Sequence, residues 1–178
     1  MKTNTTRNLF KLALVAGVAS LASFDAATAQ ASPTANLTVS AKVDNSCSIT
    51  TTALAFGSYS GKTGGANETQ DLDVPSKVTV TCTLAGADVT VTLGEGTNKD
   101  STSTAAVPVR RMVDGLSHYM TYSIFSNPGR SANWDNVTGI ATTPTGSAVD
   151  VPIYGRVDKG QSLPAGNYTD TVLATVTF

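Results

Sequence analysis

Cys47 and Cys82 are the two cysteines of this 178-residue chain, and His118 is its one histidine. Catalytic, redox or metal chemistry would have to start from them. In an exported chain, which the N-terminus indicates below, an even cysteine pair reads as a disulfide. Closing a loop of about 35 residues, it would add about 3–4 kcal/mol in the chain-entropy account. A metal or redox pair is the other use of two cysteines, and the spacing suits neither. His118 follows Ser117 and lies four residues after Asp114. A nucleophilic triad also needs an oxyanion site, and no G-x-S-x-G is present. His118 is expected as a polar residue at a strand edge.

Gly57-Ser58-Tyr59-Ser60-Gly61-Lys62-Thr63 approaches a phosphate loop, but three residues separate its glycines where that loop needs four. Gly94-Glu95-Gly96 lacks the third glycine of a dinucleotide fingerprint and has no βαβ unit around it. Asp71 and Asp73 read as a solvated edge, and no D-x-D-x-D-G calcium loop occurs. Arg110 and Arg111 are expected to snorkel at a sheet edge or to pair with a nearby Asp. Trp134 is expected as a lid on one end of the fold. No catalytic residue, cofactor site or metal site is assigned, and the chain is not expected to be an enzyme.

The elements that position these residues follow a leader. Lys2, Arg7 and Lys11 precede an apolar stretch over 12–24, too short to span a membrane, and Ala27-Thr28-Ala29 fits a cleavage site. Residues 1–29 are therefore expected to be a signal peptide. Its removal takes three of the 12 basic residues and one of the 13 acidic ones, leaving nine against twelve. A net charge of about −3 with no basic cluster argues against nucleic acid as a partner. Thr and Val are abundant, and Glu occurs after the leader only at positions 68 and 95. That is an all-β composition.

Strands are expected near Cys47–Thr50, continued by 54–57, then over 78–84, 89–93, 107–113, 118–125, 149–157 and at the C-terminal end. The runs at 78–84 and 89–93, joined by Ala85-Gly86-Ala87-Asp88, read as a hairpin. Pro108 marks an edge or bulge. Residues 126–146 read as a long irregular connection. Seven or so short strands at this spacing indicate a β-sandwich.

Two alternating segments flank that sandwich. Ala35, Leu37, Val39, Ala41 and Val43 share one face, with Asn36, Thr38, Ser40 and Lys42 on the other. This predicts a half-buried strand just before the first cysteine. Near the other end, Val172, Ala174, Val176 and Phe178 share a face, opposite Thr171, Leu173, Thr175 and Thr177. An alternating strand ending on an apolar anchor is a sheet edge in need of a neighbour.

Several segments, in order, resemble the spore coat U domain, the fold of subunits in archaic chaperone–usher pili. They are Leu54-Ala55-Phe56-Gly57, Val78-Thr79-Val80-Thr81-Cys82, Arg111-Met112, Tyr122-Ser123-Ile124-Phe125 and Asn133-Trp134-Asp135. The most specific are Val151-Pro152-Ile153-Tyr154-Gly155-Arg156-Val157 and Gly166-Asn167-Tyr168-Thr169-Asp170-Thr171. The resemblance implies an incomplete immunoglobulin-like β-sandwich, completed by a donor strand from another subunit. Residues 30–45 would be the donor-strand extension and 46–178 the sandwich domain. Val172, Ala174, Val176 and Phe178 would line the acceptor groove and face a periplasmic chaperone, with the Phe178 carboxylate as an anchor.

The implied partners are identical or related pilus subunits, that chaperone and an outer-membrane usher. The implied location is a pilus on the cell surface, reached through the periplasm and serving adhesion and biofilm formation. The Asn-x-Thr sequons at Asn36, Asn67, Asn136 and Asn167 then follow from a Thr-rich bacterial chain. Two other possibilities stay open: a spore coat or cell-surface protein of the same fold, and a secreted β-sandwich lectin or hydrolase.

Overall fold

The computed structural model describes residues 32–178, so the expected signal peptide over 1–29 lies outside the described residues. Eight strands follow in order: β1 (Cys47–Thr51), β2 (Leu72–Cys82), β3 (Val89–Leu93), β4 (Arg110–Val113), β5 (Tyr119–Phe125), β6 (Ile140–Thr142), β7 (Val149–Val157) and β8 (Ala174–Thr177). No helix occurs among the described residues. Five strands form one antiparallel sheet in the order β1-β2-β7-β5-β4, and three form a second in the order β6-β3-β8. The period-2 pattern of each strand turns one row inward. Val78 and Val80 of β2, Val91 and Leu93 of β3, Tyr122 and Ile124 of β5, and Val151 and Ile153 of β7 meet as the core.

Several expectations change. The runs at 78–84 and 89–93 form no hairpin. Both edges of β2 are taken, by β1 and β7, and both edges of β3, by β6 and β8. The connection between them passes from one sheet to the other, held where Gly86 N–H donates to the Pro144 carbonyl at 2.9 Å. Alternation fixes which face a residue takes, and leaves the neighbouring strand open. The supposed irregular stretch over 126–146 contains β6, a three-residue strand too short to show a period. Trp134 is no lid. It is 1% exposed, and its indole N–H donates to the Val91 carbonyl at 3.0 Å. Residues 54–57 do not continue β1, and β4 begins only after Pro108.

The expected half-buried strand over Ala35–Val43 is not formed among the described residues. Leu37, Val39 and Val43 are 83–88% exposed, and no strand is assigned between residues 32 and 46. A strand needs a partner edge for its backbone groups, and this segment pairs with none among the described residues.

Cys47 and Cys82 are joined as a disulfide, directly opposite each other in the β1–β2 ladder, and close a separation of 35 residues. Replacing both by Ser is expected to lower stability by about 3–4 kcal/mol. Trp134, the one tryptophan, reports this as a reduced urea midpoint, with a steeper slope because the unfolded chain without the cross-link exposes more surface. An unaltered midpoint would mean that the β1–β2 ladder alone holds the loop.

Candidate strand-acceptor groove

β8 is an edge strand. Its partners in β3 are Thr90↔Thr177, Val91↔Val176, Thr92↔Thr175 and Leu93↔Ala174. Gly94 N–H donates to the Leu173 carbonyl at 2.8 Å, so residues 173, 175 and 177 turn their backbone groups toward β3. The alternate residues Val172, Ala174 and Val176 therefore direct their N–H and C=O groups to the open side. Their side chains are half-buried toward the core, while Leu173 on the opposite face is 73% exposed. The approach to β8 is pinned at both sheets. Thr169 and Val113 exchange two backbone hydrogen bonds of 3.0 Å, and Thr97 N–H donates to Thr171 O at 3.0 Å.

The facing wall is the segment after β1. Thr52 N–H still donates to Lys77 O at 3.0 Å. Beyond it, none of the backbone N–H groups of Ala53–Tyr59 finds a partner among the described residues. The side chains of this wall are nevertheless placed. Leu54 and Phe56 are half-buried and lie over Gly155 of β7, where a Cβ would come within 2.7 Å of Leu54 Cδ1 and 3.0 Å of Phe56 Cζ. That close approach explains a glycine inside a nine-residue strand. The Phe56 ring meets Tyr122 edge-on with centroids 6.0 Å apart.

Two adjoining clefts of about 790 and 380 Å³ share Leu54, Phe56, Met112, Tyr168 and Thr169; the narrower runs between this wall and Val172 and Ala174 at the β8 edge, and the wider lies between the wall and residues 161–169. Met112, Met120, Tyr122, Ile124 and Ile153 supply an apolar floor. Two rows of unpaired backbone groups above such a floor would bind an extended peptide as an inserted strand. Residues 57–62 of the glycine-rich loop line the wider cleft as part of its wall.

A polar cluster at one side fixes this frame. Asp170 accepts from Tyr122 Oη at 2.7 Å, Thr97 Oγ1 at 2.9 Å and Asn98 N at 3.0 Å. Burial pushes the Tyr122 phenol above its ordinary pKa, and the Asp170 carboxylate adds to the shift. Gly96, at φ +88°, leaves room for that carboxylate, which a Cβ there would strike. Arg110 was expected at a solvated edge, yet it is 1% exposed. Its guanidinium donates to the carbonyls of Gly94 at 2.9 Å, Leu93 at 3.0 Å and Trp134 at 2.8 Å. Burial lowers its pKa, opposed by the nearby carboxylates of Asp170, Asp135 and Glu95. Arg111 does behave as expected, pairing with Asp100 at 2.9 Å and lying 4.2 Å over the Tyr119 ring.

The remaining candidates serve structure. His118 Nδ1 lies 2.7 Å from Asp114 Oδ2, while Asp114 Oδ1 accepts the N–H groups of Leu116 and His118. Asp114 thus closes the β4–β5 turn, in which Ser117 takes φ 67°. Among the described residues, Ser117 makes no hydrogen bond to His118. Asp73 is exposed, as expected, and takes two hydrogen bonds from Arg156 at 2.8 and 2.9 Å, which hold its carboxyl below the usual range. No group of three or more potential metal ligands occurs among the described residues.

Of the residues expected to form the site, Val172, Ala174 and Val176 stand together on the groove edge. Phe178 lies just past β8 and is 58% exposed. Ala35, Leu37, Val39, Ala41 and Val43 are exposed along a segment outside any strand. The wall Ala53–Tyr59 and the floor residues Met112 and Met120 were not foreseen as groove. Their one sequence signal is the alternation of Leu54 and Phe56.

The Spore Coat Protein U domain model matches residues 33–175. Protein U of Myxococcus xanthus is 40% identical over 174 residues, covering 94% of this chain and 96% of that protein. One similar solved structure is a chain in the crystal structure of the CsuC–CsuE chaperone–tip adhesion subunit pre-assembly complex, from archaic chaperone–usher Csu pili of Acinetobacter baumannii. It matches with a TM-score of 0.54 and 20% sequence identity over 76% of this chain, which spans 40% of that one. That likeness is one of fold: the sandwich described above resembles that of a chaperone–usher pilus subunit. With the family model covering most of its length and a relative of matching extent, the chain belongs to the Spore Coat Protein U domain family.

Proposed function

We propose that this protein is a structural subunit of an exported fibre, a pilus of chaperone–usher type, and polymerises by donor-strand exchange. One observation carries the proposal. The same chain has an apolar groove with two unpaired backbone walls and an exposed, alternating segment that lacks a sheet. The nine residues 35–43 span about 30 Å at about 3.3 Å per residue, enough to run the whole seven-residue wall Ala53–Tyr59. Inserted, Leu37, Val39 and Val43 would each gain about 1.5–3 kcal/mol from burial, with Ala35 and Ala41 adding less. Before assembly, a periplasmic chaperone would cover the same open edge along Val172, Ala174, Val176 and Phe178. An outer-membrane usher would then pass the subunit to the growing fibre, whose use would be adhesion and biofilm formation.

The direct test is gel behaviour. A strand-exchanged polymer is expected to run as a ladder in cold detergent and to collapse to monomer on boiling. A monodisperse monomer, stable alone and binding a saccharide saturably, would favour a secreted lectin or hydrolase instead. A coat built by the same exchange is the second possibility, favoured by the 40% identity to Protein U across nearly the whole chain. Immunogold labelling separates the two, since a pilus projects from the surface and a coat forms a continuous layer.

A further inference from the structure

Ser46 extends the β1–β2 ladder past Cys47. Its N–H donates to Thr83 Oγ1 at 3.0 Å, and its carbonyl accepts from Thr83 N–H at 2.9 Å. The Cys47–Cys82 disulfide ties the same two segments one residue further on. Ser46 is therefore fixed to the sheet, and Val43, the last apolar residue of the alternating segment, lies only three residues before it. Three residues reach at most about 10–11 Å. A second copy that takes Val43 into its groove is thus held with the groove mouth within that distance of Ser46. The next residue after Thr83 is Leu84, 50% exposed, followed by the small residues Ala85, Gly86 and Ala87.

We infer that the connection from Thr83 to Ala87, centred on Leu84, is a second contact surface between successive copies of this chain, at the mouth of the groove that holds the tail. A single exposed leucine asks for no partner on a monomer. The short tether supplies one here, because it brings a neighbouring copy against this end of the domain whenever the tail is docked. Residues without bulky side chains on both sides of the Leu84 contact allow the two backbones to approach. The joint between copies is then buttressed, and the fibre is stiff. The inference rests on the strand-exchange proposal.

Three variants test it: Leu84→Asp, Ala87→Asp, and a four-residue Gly-Ser insertion between Val43 and Asp44. The cold-detergent ladder reports strand exchange, and the persistence length of fibres in negative-stain micrographs reports the joint. All three variants are expected to keep the ladder. Persistence length should fall about twofold in Leu84→Asp, and further with the insertion. A ladder lost in Leu84→Asp while Trp134 fluorescence remains that of the folded chain would place Leu84 in strand exchange itself and overturn a separate surface. Softening by the insertion alone, with both Asp variants as stiff as the unsubstituted protein, overturns the surface. No change in any variant overturns it too. Absence of a ladder from the unsubstituted protein overturns strand exchange itself.

Discussion

Val39→Asp is expected to abolish the detergent-resistant ladder, whereas Thr38→Asp leaves it in place. Val39 lies at the centre of the apolar row Ala35, Leu37, Val39, Ala41 and Val43, and is 83% exposed in the single chain. The substitution therefore does little to the isolated domain. Its cost appears only when the segment is buried. Val39 then contributes about 1.5–3 kcal/mol of burial, which Asp forfeits. An unpaired carboxylate over a floor of Met112, Met120, Tyr122 and Ile124 costs several kcal/mol more. A combined loss of at least about 4 kcal/mol is roughly a thousandfold in affinity. Thr38 points to the opposite face, where a carboxylate stays in water. Equal assembly of the two variants would mean that the alternation has no pockets behind it. Equal failure would mean that charge on the segment, and not the inward row, decides assembly.

How far the fold was legible depended on whether a feature is local. β7 was expected over 149–157 and occupies Val149–Val157. Its ends are set by local turn residues and its inward row by an unbroken period of two. The disulfide was legible because export and a count of two leave one pairing. The β2–β3 hairpin was not, because pairing partners depend on the competition among all strands for edges, which no window of sequence contains. The groove lay between these extremes. Its β8 edge follows from the alternation of Val172, Ala174 and Val176. Its facing wall does not, since Ala53–Tyr59 is defined by hydrogen bonds that it fails to make. Missing partners have no signature in residue type.

Arg110 is the plainest case of a residue whose neighbours gave no warning. It shares a dipeptide with Arg111, yet one is 1% exposed and the other pairs at the surface. β4 alternates inward and outward like any strand, and Arg110 falls on the inward row opposite the buried Tyr122. The cation is tolerated there because three backbone carbonyls receive it, those of Leu93, Gly94 and Trp134. Gly94 in turn donates to Leu173, so the guanidinium is linked through one residue to the open β8 wall. Arg110→Leu removes the charge and leaves all three acceptors without their donor. The expected loss is about 3–5 kcal/mol, seen as a lowered urea midpoint of Trp134 fluorescence. Arg111→Leu gives up a half-solvated ion pair and a stacking contact, about 1–2 kcal/mol. The two variants should also part company in the polymer. Arg110→Leu loosens the wall that the inserted strand pairs with, so its ladder collapses at a lower temperature in detergent. Arg111→Leu leaves that temperature nearly unchanged. Matching collapse temperatures would show that the buried guanidinium supports the core alone and not the groove.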